Sequence, residues 1–132
     1  MNFLLDTHVW LWSLIAPARL SSAIQAALIE PQHTLYLSPI SVWEAMLLIE
    51  RGRIQVDSTP AEWVTLALTK SPLREASLTH AIAVRSRTIS LPHQDPADRF
   101  IAATALVLDL TLITADLHLL QQPQLSAWPA TE

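Results

Sequence analysis

Short apolar runs that stop at a polar or acidic residue recur along the chain, and most are followed by a stretch with helical spacing. Asn2 to Leu5 is the first such run; it stops at Asp6, and His8 to Ile15 then reads as a helix ending before Pro17. Leu20 to Glu30 opens with two serines and places Ile24, Ala27 and Leu28 on one stripe, which predicts a capped helix ending before Pro31. Leu35 to Leu37 predicts a second short strand. Ser38-Pro39 opens a helix to about Arg51, closed by Gly52, and Thr59-Pro60 opens another to about Lys70. Leu73 to Ala76 fits a brief strand and Thr79 to Arg87 a helix. Asp95-Pro96 caps a long helix to about Leu108, and Thr111 to Thr114 is an apolar, β-branched strand ending near Asp116.

Strands this short and apolar, alternating with helices, predict an α/β fold with a parallel sheet covered on both faces, and nothing divides residues 1–132 into more than one domain. The longest apolar stretch, Phe100 to Ala115, contains Asp109 and falls short of the roughly 18 uninterrupted apolar residues that a spanning helix needs, so no membrane span is expected. The first residues, MNFLLDTHVWLWSLIAPA, lack a basic leading region and carry Asp6 and His8, and are read as mature structure. The absence of cysteine excludes disulfides, thiolate metal sites and thiol catalysis, and fits a cytoplasmic chain. One glycine, Gly52, cannot supply a dinucleotide-binding loop or a P-loop.

In an open α/β sheet, sites form beyond the carboxyl ends of the strands. Asp6 and Asp116 both follow apolar strands. Asp6 is also well placed to cap the next helix. Glu44 has Ile40, Leu47 and Leu48 as helical neighbours and Ser41 as its polar companion, so it faces the core side; it needs a cation or a proton there, or an ion pair with Arg51 or Arg53. Asp98 shares a stripe with Ile101, Ala102 and Ala105 in the first turn of its helix, where it can also meet the helix dipole, and Asp95 reads as that helix's N-cap. If the four acids converge, a single pair at about 4 Å costs on the order of 4 kcal/mol at an effective dielectric of 20. Hard oxygen ligands then favour Mg²⁺ or Mn²⁺, and the chemistry that follows is phosphodiester hydrolysis.

Four segments together resemble one family: LLDTHVWLW at 4–12, SPISVWEAMLLIERGRI at 38–54, LPHQDPADRFIAATAL at 91–106 and LITAD at 112–116 are similar to the PIN-domain ribonuclease toxins of the VapC type. The resemblance implies a parallel five-stranded sheet with flanking helices. It places Asp6, Glu44, Asp98 and Asp116 at the acidic catalytic and metal positions, with Thr114 a hydroxyl neighbour and Asp95 part of the same motif. It further implies a Mg²⁺- or Mn²⁺-dependent endoribonuclease acting on RNA, a cognate antitoxin that silences it, and a homodimer. The apolar circumference of the first helix and the five tryptophans, Trp10, Trp12 and Trp43 among them, allow a protein partner independently, although each is equally well a core residue.

The net charge of −4 has the wrong sign for holding nucleic acid by bulk electrostatics, unless cations offset the acid cluster. Arg51, Arg53, Lys70, Arg74, Arg85, Arg87 and Arg99 then either line an RNA path or are solvated charges. His8, His80 and His93 read as structural rather than catalytic. A phosphatase with an aspartate nucleophile wants a second acid where Thr7-His8 stands. A phospho-receiver wants paired acids after the first strand and a lysine near a late one, and Lys70, the only lysine, sits in a helix. A PIN-like binding module without catalysis is the remaining alternative.

Overall fold

A computed structural model describes residues 1–92 and 94–132, so His93 lies outside the described residues. Five parallel strands form one sheet in the order β3-β2-β1-β4-β5: β1 (Asn2–Leu5), β2 (Thr34–Leu37), β3 (Leu73–Glu75), β4 (Thr111–Thr114) and β5 (Ala127–Pro129). The helices are α1 (Thr7–Ile15), α2 (Ser22–Ile29), α3 (Pro39–Glu50), α4 (Pro60–Ala67), α5 (His80–Thr88), α6 (Pro96–Val107) and α7 (Leu117–Leu120), with a 3-10 turn at Pro17–Arg19. The α/β class and the five-stranded parallel sheet expected from the sequence are present.

The period-two alternation of the strands divides the core into two layers. Phe3 and Leu5 of β1, Leu35 and Leu37 of β2 and Ile113 of β4 pack on one face with Val9, Trp10, Ile24 and Ala45. Leu4 and Leu112 point to the other, where Ile101, Ala102, Ala105 and Leu119 cover them. β1 is therefore buried on both faces, which is why its sequence shows no polar alternation.

Several helix starts follow from local chemistry. Ser21, Ser38, Thr59 and Thr79 each accept a backbone N–H of the helix that follows, and Pro39, Pro60 and Pro96 occupy first positions where no N–H partner is lost. Gly52, at φ +72°, ends the segment after α3, and Asp109 takes the same left-handed conformation, φ +54°, after α6.

Two elements, α7 and β5, have no counterpart among those read from the sequence pattern. The reading of α1 also changes: Val9, Trp10 and Leu11 are buried, but Trp12 is half-buried and Ile15 is 50% exposed. No helix among the described residues is long and apolar enough to cross a membrane.

Candidate acid site at the carboxyl edge of the sheet

The strand order reverses direction at β1: the chain steps outward to β2 and β3, then returns to the other side for β4 and β5. Asp6 leaves β1 and Asp116 follows β4, so the two acids flank the switch point. Asp6 N–H donates to the Ile113 carbonyl at 3.0 Å, which locks the end of β1 against β4.

Asp6 is 8% exposed, and both its oxygens are engaged: Oδ1 accepts from Thr7 N at 2.8 Å and Oδ2 from Thr114 Oγ1 at 2.6 Å. Thr114 Oγ1 also accepts from Asp116 N at 3.0 Å, so one hydroxyl ties the two strand-end acids together. Asp116 Oδ1 accepts from His118 N at 2.8 Å and Leu119 N at 3.3 Å, capping α7. Asp95 Oδ1 accepts from Ala97 N at 3.0 Å and caps α6, as its position before Pro96 predicts. Asp6, Asp95 and Asp116 thus stand at three helix N-termini, whose dipoles favour negative charge. The capping role weighed for Asp6 is present.

Glu44 comes from the second turn of α3 and is half-buried. Burial pushes its carboxyl above the ordinary range; Thr7 opposes that rise, Asp6 and Asp95 add to it, and His8 opposes it. The Thr7 hydroxyl also lies 2.9 Å from Ser41 Oγ, and its single proton serves one of the two acceptors at a time. Arg51 and Arg53, the ion-pair partners considered for Glu44, are exposed at and beyond the far end of α3.

Asp98, in the first turn of α6, carries the largest electrostatic load. Its carboxyl is pushed up to about 8, first by burial and then by the charges of Asp6, Asp95, Asp116 and Glu44. Burial also pushes Asp6 upward, against the Thr114 and Thr7 hydrogen bonds and the His8 charge, with Asp116 adding to the rise. Four acids from four separate segments, with Asp95 beside them, therefore share one electrostatic neighbourhood. No three acid or histidine side chains among the described residues stand close enough to hold one metal ion in this arrangement. The donor chemistry fits a hard cation, all oxygen and no sulfur.

Arg99 corrects one expectation. It is buried, not on an RNA path: Nε donates to Ser86 O at 2.8 Å and Nη2 to Ile89 O at 2.7 Å, fastening the end of α5 to the start of α6 beside Asp98. The signal was present in the sequence, since Ala102 and Ala103, three and four residues on, leave room for a long side chain to fold inward. Arg51, Arg53, Lys70, Arg74, Arg85 and Arg87 are exposed, as is His80. The tryptophans divide three ways: Trp10 is wholly buried, Trp12 half-buried, and Trp43, next to Glu44, 55% exposed.

A family model described as the PIN domain matches residues 3–123. Ribonuclease VapC22 of Mycobacterium tuberculosis (strain ATCC 25618 / H37Rv) is 36% identical over 119 residues, 88% of this chain and 88% of that one. Among solved structures, VapBC2 from Rickettsia felis bound to a promoter DNA fragment superimposes with a TM-score of 0.70 at 16% identity, covering 98% of both chains. VapBC-1 from nontypeable Haemophilus influenzae gives 0.68 at 19% identity over 100% of both, and FitAcB from Neisseria gonorrhoeae 0.66 at 22% over 96% of both. At these identities the structural matches speak for the fold alone, while the sequence matches carry the assignment: the chain belongs to the PIN domain family, among its VapC members.

Proposed function

We propose that the chain, as one domain over residues 1–132, is an endoribonuclease dependent on Mg²⁺ or Mn²⁺ and the toxin of a type II toxin–antitoxin module. The observation that carries this reading is the shared electrostatic neighbourhood of Asp6, Glu44, Asp98 and Asp116 at the sheet's switch point, with Asp98 raised to about 8 first by burial and then by its acidic neighbours. An acid kept at that cost in a half-buried place is suited to exchanging its proton for a cation. The name of the relative VapC22 supports ribonuclease activity, and the structural neighbours, solved as VapBC or FitAB assemblies, support a cognate antitoxin. A homodimer and a cytoplasmic location complete the proposal.

Asp6, Glu44, Asp98 and Asp116 would hold the metal. When bound, the ion supplies a water acidic enough to attack phosphorus and positive charge against the phosphate. Thr114 aims Asp6 and steadies Asp116 through one hydroxyl. Thr7 and Ser41 orient the approach of Glu44, and Arg99 keeps the first turn of α6, and so Asp98, in register with α5.

Purified chain, free of any antitoxin, is expected to cleave single-stranded RNA with Mn²⁺ or Mg²⁺ and to stop with chelator or with Asp6→Asn. Cleavage that survives in the Asn variant refutes the assignment. That no three acid or histidine side chains among the described residues surround one point favours a second reading, a PIN-like module that binds without catalysis. Growth arrest on inducible expression that is abolished by Asp98→Asn decides for the enzyme.

A further inference from the structure

The outer face of α1 carries a row of side chains that the acid site does not use. His8 is exposed in the first turn of α1, two residues past Asp6, which places it at the rim of the acids. One helical turn along, the Trp12 ring lies 5.8 Å from it, centroid to centroid, tilted by 51°. Arg19, from the 3-10 turn, lays its guanidinium 4.3 Å from the centre of the Trp12 ring. Arg19 is exposed, while Trp12 is packed on its inner side against the core.

The chain has a net charge of −4, and a polyanion nearing this cluster is repelled until it meets cations outside it. Arg19 is, among the described residues, the one cation held over an aromatic ring. A guanidinium held over a ring in this way offers its open side to a base and N–H groups to a phosphate at a reduced cost in side-chain freedom. Aromatic rings and a fixed cation in file, leading from a hydrolytic site, suit an unpaired strand whose bases are open to stacking rather than a duplex.

We propose that His8, Trp12 and Arg19 form the track by which single-stranded RNA reaches the acid site, with Arg19, steadied by Trp12, stacking on a base and contacting its phosphate, and His8 receiving the next base toward the scissile bond. The assignment rests on the nuclease reading and adds the binding residues to it.

The test uses the full chain carrying Asp98→Asn, to prevent cleavage, and a fluorescent single-stranded oligoribonucleotide. Arg19→Ala is expected to weaken binding about 10-fold, Arg19→Lys to recover only the salt-sensitive part, and Trp12→Phe to stay within about threefold. A blunt RNA duplex should not distinguish Arg19→Ala from its parent. In the cleaving chain, with Asp98 intact, Arg19→Ala is expected to raise KM for the oligonucleotide with little change in kcat. Unchanged oligonucleotide affinity in Arg19→Ala overturns the track, as does a tryptophan signal that follows protein rather than RNA concentration, which assigns the row to contact between copies. Weakened binding in a chain that never cleaves RNA removes the nuclease reading and keeps the track. Cleavage with unchanged KM in Arg19→Ala removes the track alone.

Discussion

Replacing Thr114 with valine removes one hydroxyl and keeps the β-branched shape that β4 needs. The hydroxyl donates to Asp6 Oδ2 at 2.6 Å and accepts from Asp116 N at 3.0 Å, and the residue is fully buried. A hydrogen bond to a charged group contributes about 1.5–3 kcal/mol net, so its loss should push the already raised Asp6 carboxyl further up and make the deprotonated form a metal requires harder to reach. At 1.4 kcal/mol per tenfold, that is a weakening of Mn²⁺ affinity by about 10- to 100-fold, the range usual for groups that orient a ligand from behind. Calorimetric titration of Mn²⁺ into the two proteins, with RNA cleavage followed against Mn²⁺ concentration, reads the effect directly. Thr114→Ser should restore most of it. A valine variant that titrates and cleaves like the parent would show that Asp6 is not a ligand, or that its orientation does not matter.

Arg99→Met deletes, among others, the hydrogen bonds to the carbonyls of Ser86 and Ile89 and is expected to cost at least about 3 kcal/mol, lowering Tm by roughly 10 °C; a drop under about 2 °C in a thermal melt contradicts the clamp. Asp109→Gly relieves a left-handed residue and takes a negative charge from the carboxyl end of α6, so chemical denaturation should show a gain of about 0.5–1 kcal/mol. Without divalent ions, stability should fall as pH rises. Asp98 at about 8 in the folded chain, against 3.8 ordinarily, binds a proton that the unfolded chain releases, so its contribution is fully present below about 4 and is lost through about 8. Asp6 and Glu44, raised as well, act in the same direction. Melts in chelator at pH 5 and 8 check this, with Mn²⁺ expected to raise Tm more at the higher pH; a chelated protein more stable at pH 8 contradicts it.

The parts of the fold legible in the sequence are those whose pattern the core dictates. β1, β2 and β4 are central and doubly covered, and their apolar runs announce them. β5 escaped because an edge strand of three residues ending in Pro129 has little to bury on either side, and the number five came from family resemblance. α7, a single turn, is too short to show a period. In the site, Asp6 and Asp116 were legible from their places after strands, Glu44 from its apolar neighbours. Arg99 was misread because charge is ordinarily a surface property, and only the small residues after it hint at inward folding. The Thr7–Ser41 contact joins residues 34 apart in the chain and is visible only once α1 and α3 are packed.

Asp6, Asp95 and Asp116 each begin a helix with the same carboxylate that belongs to the acid neighbourhood. An alanine scan of this molecule would therefore confuse two injuries, since truncating a capping Asp unpins a helix at about 0.5–2 kcal/mol while it also strips charge. Asparagine keeps the capping acceptor and discards the anion, and at Asp6 it also gives up the acceptor of the Thr114 hydroxyl. On the proposed function, random drift at these three positions is opposed twice, by the demand for a foldable chain and by the demand for a working one, and a lineage that abandoned chemistry would still have reason to keep Asn or Ser there.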